Sequence, residues 1–558
     1  MSAAVESAVP GSQLSNRAKL EILFATLLAL FMFALDQTVV GTALPRIVTD
    51  LHGDQLYTWA ITIYLLTSTI SGPIYGKLSD LFGRRPIFIW AVGLFLVASV
   101  GAALSQEMWQ FILFRGLQGL GGGAVFPLAF AVLADLYTPV ERGKYAGLFG
   151  AVFGLSSIIG PAIGGLITDN FGWHWIFLVN VPIGLISLYF IFRLLPPIKH
   201  PEAARDIDYV GAALFTAALA PFLVGLTNRQ SADWTDPWVG GLMVVGAVFA
   251  ALFLWWESRV EEPIIYLSLL RIRTFTISVS AMFLAAFGFF SAVVFLPRWF
   301  QVVQGASATE SGYNLLPLLA ALIVSATLSG QIVARTHHYK ILIFGSLMLL
   351  GVGLLLMTNL RADTDRLMLW GWMVIAGLGI GPSFAVFTLI VQNAVPVHRI
   401  GVASSSLTFF QQIGGTVGLT IAGTIFAGRL TDEIPNQLVA AGVPAQIVSQ
   451  FQSGAASFDL TGTGDLGARI LAATPPQFQA VIEPFITNIV TGIHEAIAIA
   501  IANSFWFGIG GAFVAAAASL LLKEVPLRTT FEMAPEEMPA DINLDHVWAP
   551  GSDASAGA

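Results

Sequence analysis

GKLSDLFGRRP, Gly76 to Pro86, gathers four charged side chains between two long apolar segments. The segments on either side, 56–76 and 87–105, each reach the roughly 20 residues needed to cross a bilayer. Within the loop, Gly76 permits close backbone approach and Gly83 a tight turn. Asp80 can accept a charge-assisted bond from an arginine or a helix N-terminus, while Arg84 and Arg85 offer bidentate donors. The ordinary excess of basic residues on cytoplasmic loops explains the two arginines. It does not explain Gly, Asp, Gly and Arg at this spacing.

Working outward, the same alternation runs through the chain. Of its 558 residues, 56% are hydrophobic and 11% charged, with mean hydropathy +0.77. Soluble domains carry about 25% charged residues, so this is a polytopic membrane protein. Fourteen apolar segments are expected to span: 20–44, 56–76, 87–105, 108–135, 143–166, 174–195, 208–227, 236–257, 275–304, 312–334, 341–359, 367–395, 401–428 and 495–522. The absence of cysteine removes disulfides and thiol-based metal or redox chemistry. The net charge of −8 carries no nucleic-acid signal, because the basic residues sit in short loops. No cleavable signal peptide is read in residues 1–19.

Most lysines and arginines, including Lys77, Arg142, Lys144, Arg271, Arg335 and Lys340, fall on one side if the N-terminus is inside. The positive-inside rule then places both termini in the cytoplasm.

The chain also repeats. A shift of 258 residues aligns SGPIYGK (71–77) with SGQIVAR (329–335), and GLGGGAVF (119–126) with GLGIGPSF (377–384). The expected organisation is a cytoplasmic tail (1–19), a six-helix bundle (20–195), two inserted helices with linkers (196–274), a second six-helix bundle (275–522) and a disordered cytoplasmic tail (523–558). Parallel repeats with a site between the halves are a transporter architecture. The second bundle contains one long external connection, 429–494. Phe478, Val481, Ile482, Phe485, Ile489 and Ile493 at its end have the spacing of an amphipathic helix.

Two charges lie deep in the first half. Asp36 lies well inside the first span, in LDQTVVGTALP (35–45), and an ionised carboxylate at helix centre costs about 2.5–3.5 kcal/mol. Arg115, in FILFRGLQGLGGG (111–123), sits inside the fourth span and needs a partner or a wet cavity. The 258 shift sets Arg115 against Met373, and a weaker match shifted by 252, ALP (43–45) on FLP (295–297), sets Asp36 against Gly288, so the charges belong to one half only. The fifth span carries Gly154, Gly160, Pro161, Gly164 and Gly165, a smooth face with a proline kink. The histidines form no metal-ligand spacing, and no phosphate-binding loop with Lys-Ser/Thr occurs.

The Gly76–Pro86 loop resembles the signature loop of the major facilitator superfamily, departing at Leu81, where a base is common. The span-4 and span-5 stretches resemble the family's arginine motif and the glycine-proline motif of its antiporters. WHWIFLVNVPIG (173–184), with His174 in place of an arginine, and FFQQIGGTVG (409–418) are similar to the fourteen-helix drug/proton antiporters. That resemblance covers most of residues 20–522. It implies an all-α membrane fold of two six-helix bundles plus two inserted helices.

The resemblance also assigns roles. Gly76, Asp80, Gly83, Arg84 and Arg85 form a latch between the halves, and Arg115 is linked to proton transfer, while Asp36, as the deep acid of the same half, is expected to couple protons with it. The substrate cavity is expected to draw on Gln37, Tyr64, Gln118, Phe409, Gln411 and Gln412. The protein is then expected to be a multi-pass cell-membrane exporter, not an enzyme, driven by the proton gradient without a cofactor. Its expected partners are small lipophilic substrates, protons and membrane lipids, and the chain is expected to be a monomer that binds no nucleic acid. An exporter of envelope lipids or lipoconjugates fits the same scaffold.

Overall fold

The computed structural model describes residues 14–51, 57–196, 208–229, 233–260, 263–395, 400–452, 466–474, 479 and 482–524. Helices account for nearly all of them, and no strand occurs among the described residues. In chain order the first half comprises α1 (Asn16–Asp50), α2 (Tyr57–Phe82), α3 (Arg84–Ala103), α4 (Met108–Gly122), α5 (Val125–Leu136), α6 (Pro139–Phe171), α7 (His174–Leu178) and α8 (Asn180–Leu194). The inserted pair is α9 (Tyr209–Asn228) and α10 (Leu242–Glu257). The second half has α11 (Arg273–Val302), α12 (Ala308–Asn314), α13 (Leu316–Thr336), α14 (Lys340–Met357), α15 (Arg366–Asn393), α16 (Ile400–Ala440), α17 (Ala445–Gln452), α18 (Leu466–Ala473) and α19 (Ile486–Ser519).

Among the described residues, 12 helical segments are long and apolar enough to cross a membrane. The helices α2 and α6 fill the second and fifth expected spans over 26 and 33 residues. The buried apolar residues form separate cores. One is built almost wholly from residues 266–522, and two others lie within 22–195. A fourth, smaller core joins α2 and α16 through Phe215, Leu223 and Phe253 of the inserted pair. Phe215 packs tilted against Phe409 with ring centroids 5.3 Å apart, so the insertion lies across the seam between the halves.

Several expected boundaries move. The fourth span is two helices, because the glycines at 121–123 allow a break between α4 and α5. The first helix begins at Asn16, inside the expected 1–19 tail. The external connection is shorter than 429–494, since α16 continues to Ala440 and α19 starts at Ile486. Hydropathy falls after Arg429, but Leu430, Ile434 and Leu438 keep helical spacing and pack on the second-half core. Ile489 and Ile493 belong to α19 and to that same core, against which Phe485 also packs. Phe478 and Val481, and the tail beyond residue 524, lie outside the described residues.

Candidate functional site

The first cluster is built on Asp36, 1% exposed in the middle of α1. The Arg115 guanidinium donates from Nη1 to Asp36 Oδ2 at 2.6 Å. Gln118 Nε2 and Asn180 Nδ2 donate to Oδ1 at 2.8 and 2.9 Å. Ser99 Oγ accepts from the same two amides and passes its own proton to the Phe177 carbonyl. Arg115 Nη1 also donates to Gln118 Oε1, and its guanidinium lies 4.1 Å over the Tyr64 ring.

The helical repeat explains the assembly. Arg115 and Gln118 are three residues apart and so share one face of α4. Asp36, Tyr64, Ser99 and Asn180 come in from α1, α2, α3 and α8. Gly119 lets α4 approach closely, since a Cβ there would lie 2.4 Å from the Tyr64 carbonyl oxygen. The cluster is a buried charge pair whose carboxylate faces three donors, all between residues 99 and 180. A buried ion pair is tolerated only when such extra hydrogen bonds satisfy the remaining lone pairs.

The glycine-proline motif supports the same helix. Gly154, Gly160, Pro161, Gly164 and Gly165 all lie in α6, which runs through Pro161 unbroken. A Cβ on Gly160 would lie 2.0 Å from Thr38 Oγ1, and Thr38 donates to the Ser156 carbonyl at 3.0 Å. The smooth face of α6 is therefore seated on α1 two residues beyond Asp36.

The second cluster is the Gly76–Pro86 loop. The turn between α2 and α3 is Gly83 alone, with φ of 94°, a conformation that favours glycine. This tight reversal points Arg84 inward, fully buried, where it pairs with Asp80 and donates from Nε to Asp135 Oδ2 at 2.9 Å. Asp80 Oδ2 in turn accepts from the backbone N–H of Val402 at 3.0 Å, in the first turn of α16. The partial positive charge of that helix end favours the carboxylate. Gly76 and Gly401 make the approach possible, because a Cβ on Gly76 would lie 2.3 Å from Ser405 Oγ. Arg85 points elsewhere, with its guanidinium 4.8 Å over Phe192 of the same half.

Two contacts reinforce this side of the seam. Arg142, read from sequence only as a cytoplasmic base, is buried and donates to Gln392 Oε1 at 3.2 Å and to the Ala134 carbonyl at 2.7 Å. Lys77 Nζ donates at 2.6 Å to the Tyr266 hydroxyl, on the link from the inserted pair to α11.

The expected cavity residues divide. Gln118 and Tyr64 are buried in the Asp36 cluster rather than on an open wall. Phe409 packs under the inserted pair, Gln411 is buried, and Gln412 Oε1 accepts from Thr69 Oγ1 across the seam at 3.0 Å. Gln37 is half-buried. Sequence reasoning gave no role to Ser99, Asp135, Asn180 or Gln392. Asp135 could have been found by asking which second acid satisfies a buried Arg84, given that the fourth span ends on it.

The family model for the major facilitator superfamily matches residues 26–419, most of the chain and both clusters. The chain belongs to the major facilitator superfamily. Among its relatives, the multidrug transporter protein MdtP of Bacillus subtilis (strain 168) is 35% identical over 504 residues, covering 90% of this chain and 92% of that protein. The tetracenomycin C resistance and export protein of Streptomyces glaucescens is 32% identical over 524 residues, 93% of each. Among solved structures, the proton:xylose symporter XylE matches with a TM-score of 0.56 at 12% identity, covering 90% of this chain and 95% of that one. At that identity the match speaks for the fold alone. The protein is thus a multi-pass membrane transporter of the superfamily, with multidrug and antibiotic efflux proteins among its relatives, and not an enzyme.

Proposed function

We propose that this superfamily member is a proton-coupled antiporter that exports lipophilic neutral or monocationic compounds across the cell membrane by alternating access, with both termini in the cytoplasm. The observation that carries the reading is the Asp36–Arg115 pair, an acid and a base sealed together inside the first half. A buried carboxylate is driven toward its neutral form by loss of water and toward its charged form by a neighbouring cation. Separating Arg115 from Asp36 exchanges one condition for the other, which is what a proton carrier needs. The Asp80–Val402 latch supplies the second element, a contact between halves that must break when the transporter opens on the loop side. The multidrug and antibiotic exporters among the relatives support the cargo class.

The energies are compatible. One proton crossing 100 mV yields about 2.3 kcal/mol, and a hundredfold gradient of a neutral solute costs about 2.7 kcal/mol. For a monovalent cation exchanged one for one, the potential cancels and the pH gradient alone drives export. The test is efflux of a panel of lipophilic cations and neutral compounds from proteoliposomes under imposed pH gradients. Gradient-dependent efflux is expected, and efflux indifferent to the gradient for every compound would overturn the antiport reading.

A further inference from the structure

A crevice of about 440 Å³ is lined by α2, α3, α4 and the first inserted helix α9. Its walls include Thr67, Ser71 and Leu78 on α2, Trp90 on α3, Leu120 on α4 and Thr216 on α9. No lining residue is charged and none comes from the second half. A site presented alternately to the two sides of a membrane is formed where the repeats meet, so this crevice is not the transport cavity.

Its chemistry is that of hydrocarbon. Three hydroxyls in the wall are turned back on their own helices, and that of Tyr75 is engaged with Trp90: Thr67 donates to the Ile63 carbonyl at 2.8 Å, Ser71 to the Ser68 carbonyl, and Thr216 to the Ala212 carbonyl at 2.8 Å. They leave methyl and methylene groups facing the void. Pockets for drug-sized molecules add a few convergent polar groups that fix orientation, and here the polar groups are already spent. Trp90, in the wall and 62% exposed on the membrane helix α3, opens the crevice toward lipid. Unfilled, it would leave its lining without contact partners on one side, a loss that packed interiors avoid.

We infer that this crevice holds an acyl chain of a resident membrane lipid, wedged between the first half and the inserted helix pair. The chain has a structural consequence for the latch. Tyr75 and Leu78, both in the wall, bracket Gly76 and Lys77, whose other faces meet Ser405 and Tyr266. The lipid thereby backs the part of α2 that bears the latch.

The test is native mass spectrometry of the full chain, purified from membranes, reconstituted with palmitoyl-oleoyl phosphatidylglycerol and progressively delipidated in detergent. Thr216→Trp fills the crevice from an exposed position on α9, and Leu120→Phe fills it from α4. Val97→Trp adds the same bulk on a lipid-facing surface elsewhere. The last retained lipid is expected to be lost from both filling variants and kept by wild type and Val97→Trp. Equal retention in all four overturns the inference. Displacement of that lipid from the wild type by a lipophilic cation also overturns it, since the crevice would then belong to cargo.

Discussion

The Asp80 carboxylate accepts a hydrogen bond from the backbone N–H of Val402, 3.0 Å away and 322 residues further along the chain. The same carboxylate pairs with buried Arg84, which is held from its other side by Asp135. One acid thus ties the first turn of α16 to a loop of the opposite half. Because a hydrogen bond to a charged group contributes about 1.5–3 kcal/mol, Asp80→Ala is expected to shift the balance about 10- to 100-fold toward separated halves. The chain contains no cysteine, so a single Ser405→Cys reports the change. Its alkylation should rise in the Asp80→Ala background, and unchanged labelling would show that the bond does not hold the seam.

The close approach at the latch can be probed without touching a charge. A Cβ on Gly401 would lie 2.3 Å from Asp80 Oδ1 and 2.6 Å from Arg84 Nη1. Gly401→Ala is therefore expected to raise Ser405→Cys labelling much as Asp80→Ala does. Gly345→Ala, where a Cβ meets nothing within 4 Å, should leave labelling unchanged and raise stability by a few tenths of a kcal/mol up to about 1 kcal/mol.

Asn180 is expected to be a stabilising donor rather than the proton carrier. Asn180→Ala removes one of the two amides on Asp36 Oδ1 and one partner of Ser99. The expected loss is about 1–3 kcal/mol of stability, read as a lower denaturation midpoint, with gradient-driven transport slowed but present. Complete loss of gradient dependence in a well-folded Asn180→Ala protein would assign it a role in coupling itself.

At the end of the described chain, Glu524 binds the first turn of α14. Partial burial works against its charge, but hydrogen bonds from the His338 ring and the backbone N–H groups of Lys340 and Tyr339 overcome that and lower its pKa. A carboxyl lowered on folding contributes stability above its unfolded pKa, and that contribution is lost as pH falls through the lower, folded value. Hydrogen exchange at the Tyr339 and Lys340 amides, referenced to the intrinsic rate, should lose protection in that acid range. Glu524→Gln should flatten the dependence, and a persistent acid-range change in that variant would place the titration elsewhere.

Much of this was legible in the sequence because each feature is local. Asp36 and Arg115 stand out as charges in apolar runs, and the Gly76–Pro86 loop carries its own turn, so α2, Gly83 and α3 follow from spacing. The partners were not legible. Arg84 finds Asp135 51 residues on, Arg142 finds Gln392 after 250, and Asn180 reaches Asp36 across 144. These pairings depend on how helices pack, and an asparagine or glutamine in an apolar helix has no pattern that names its partner. The extension of α16 to Ala440 departs from the expected span for a related reason. Hydropathy drops where the helix leaves the membrane, while its spacing continues.

The repeat sharpens what is particular about the first half. Gly288, the counterpart of Asp36, sits against α19, where a Cβ on Gly508 would lie 2.5 Å from Gly288 Cα. One half places a carboxylate and its donors where the other brings two backbones together.

Proton flux is the direct measurement for that charge. Asp36→Asn keeps the size of the side chain and removes its ability to carry a proton, leaving one amide oxygen to serve either Arg115 or the Gln118 and Asn180 amides. In proteoliposomes, the variant should exchange a lipophilic monocation such as tetraphenylphosphonium down its own gradient, yet fail to move it in response to an imposed pH gradient or to move protons with it. Gradient-driven accumulation by Asp36→Asn at the wild-type level would contradict the assignment of Asp36 as the proton carrier.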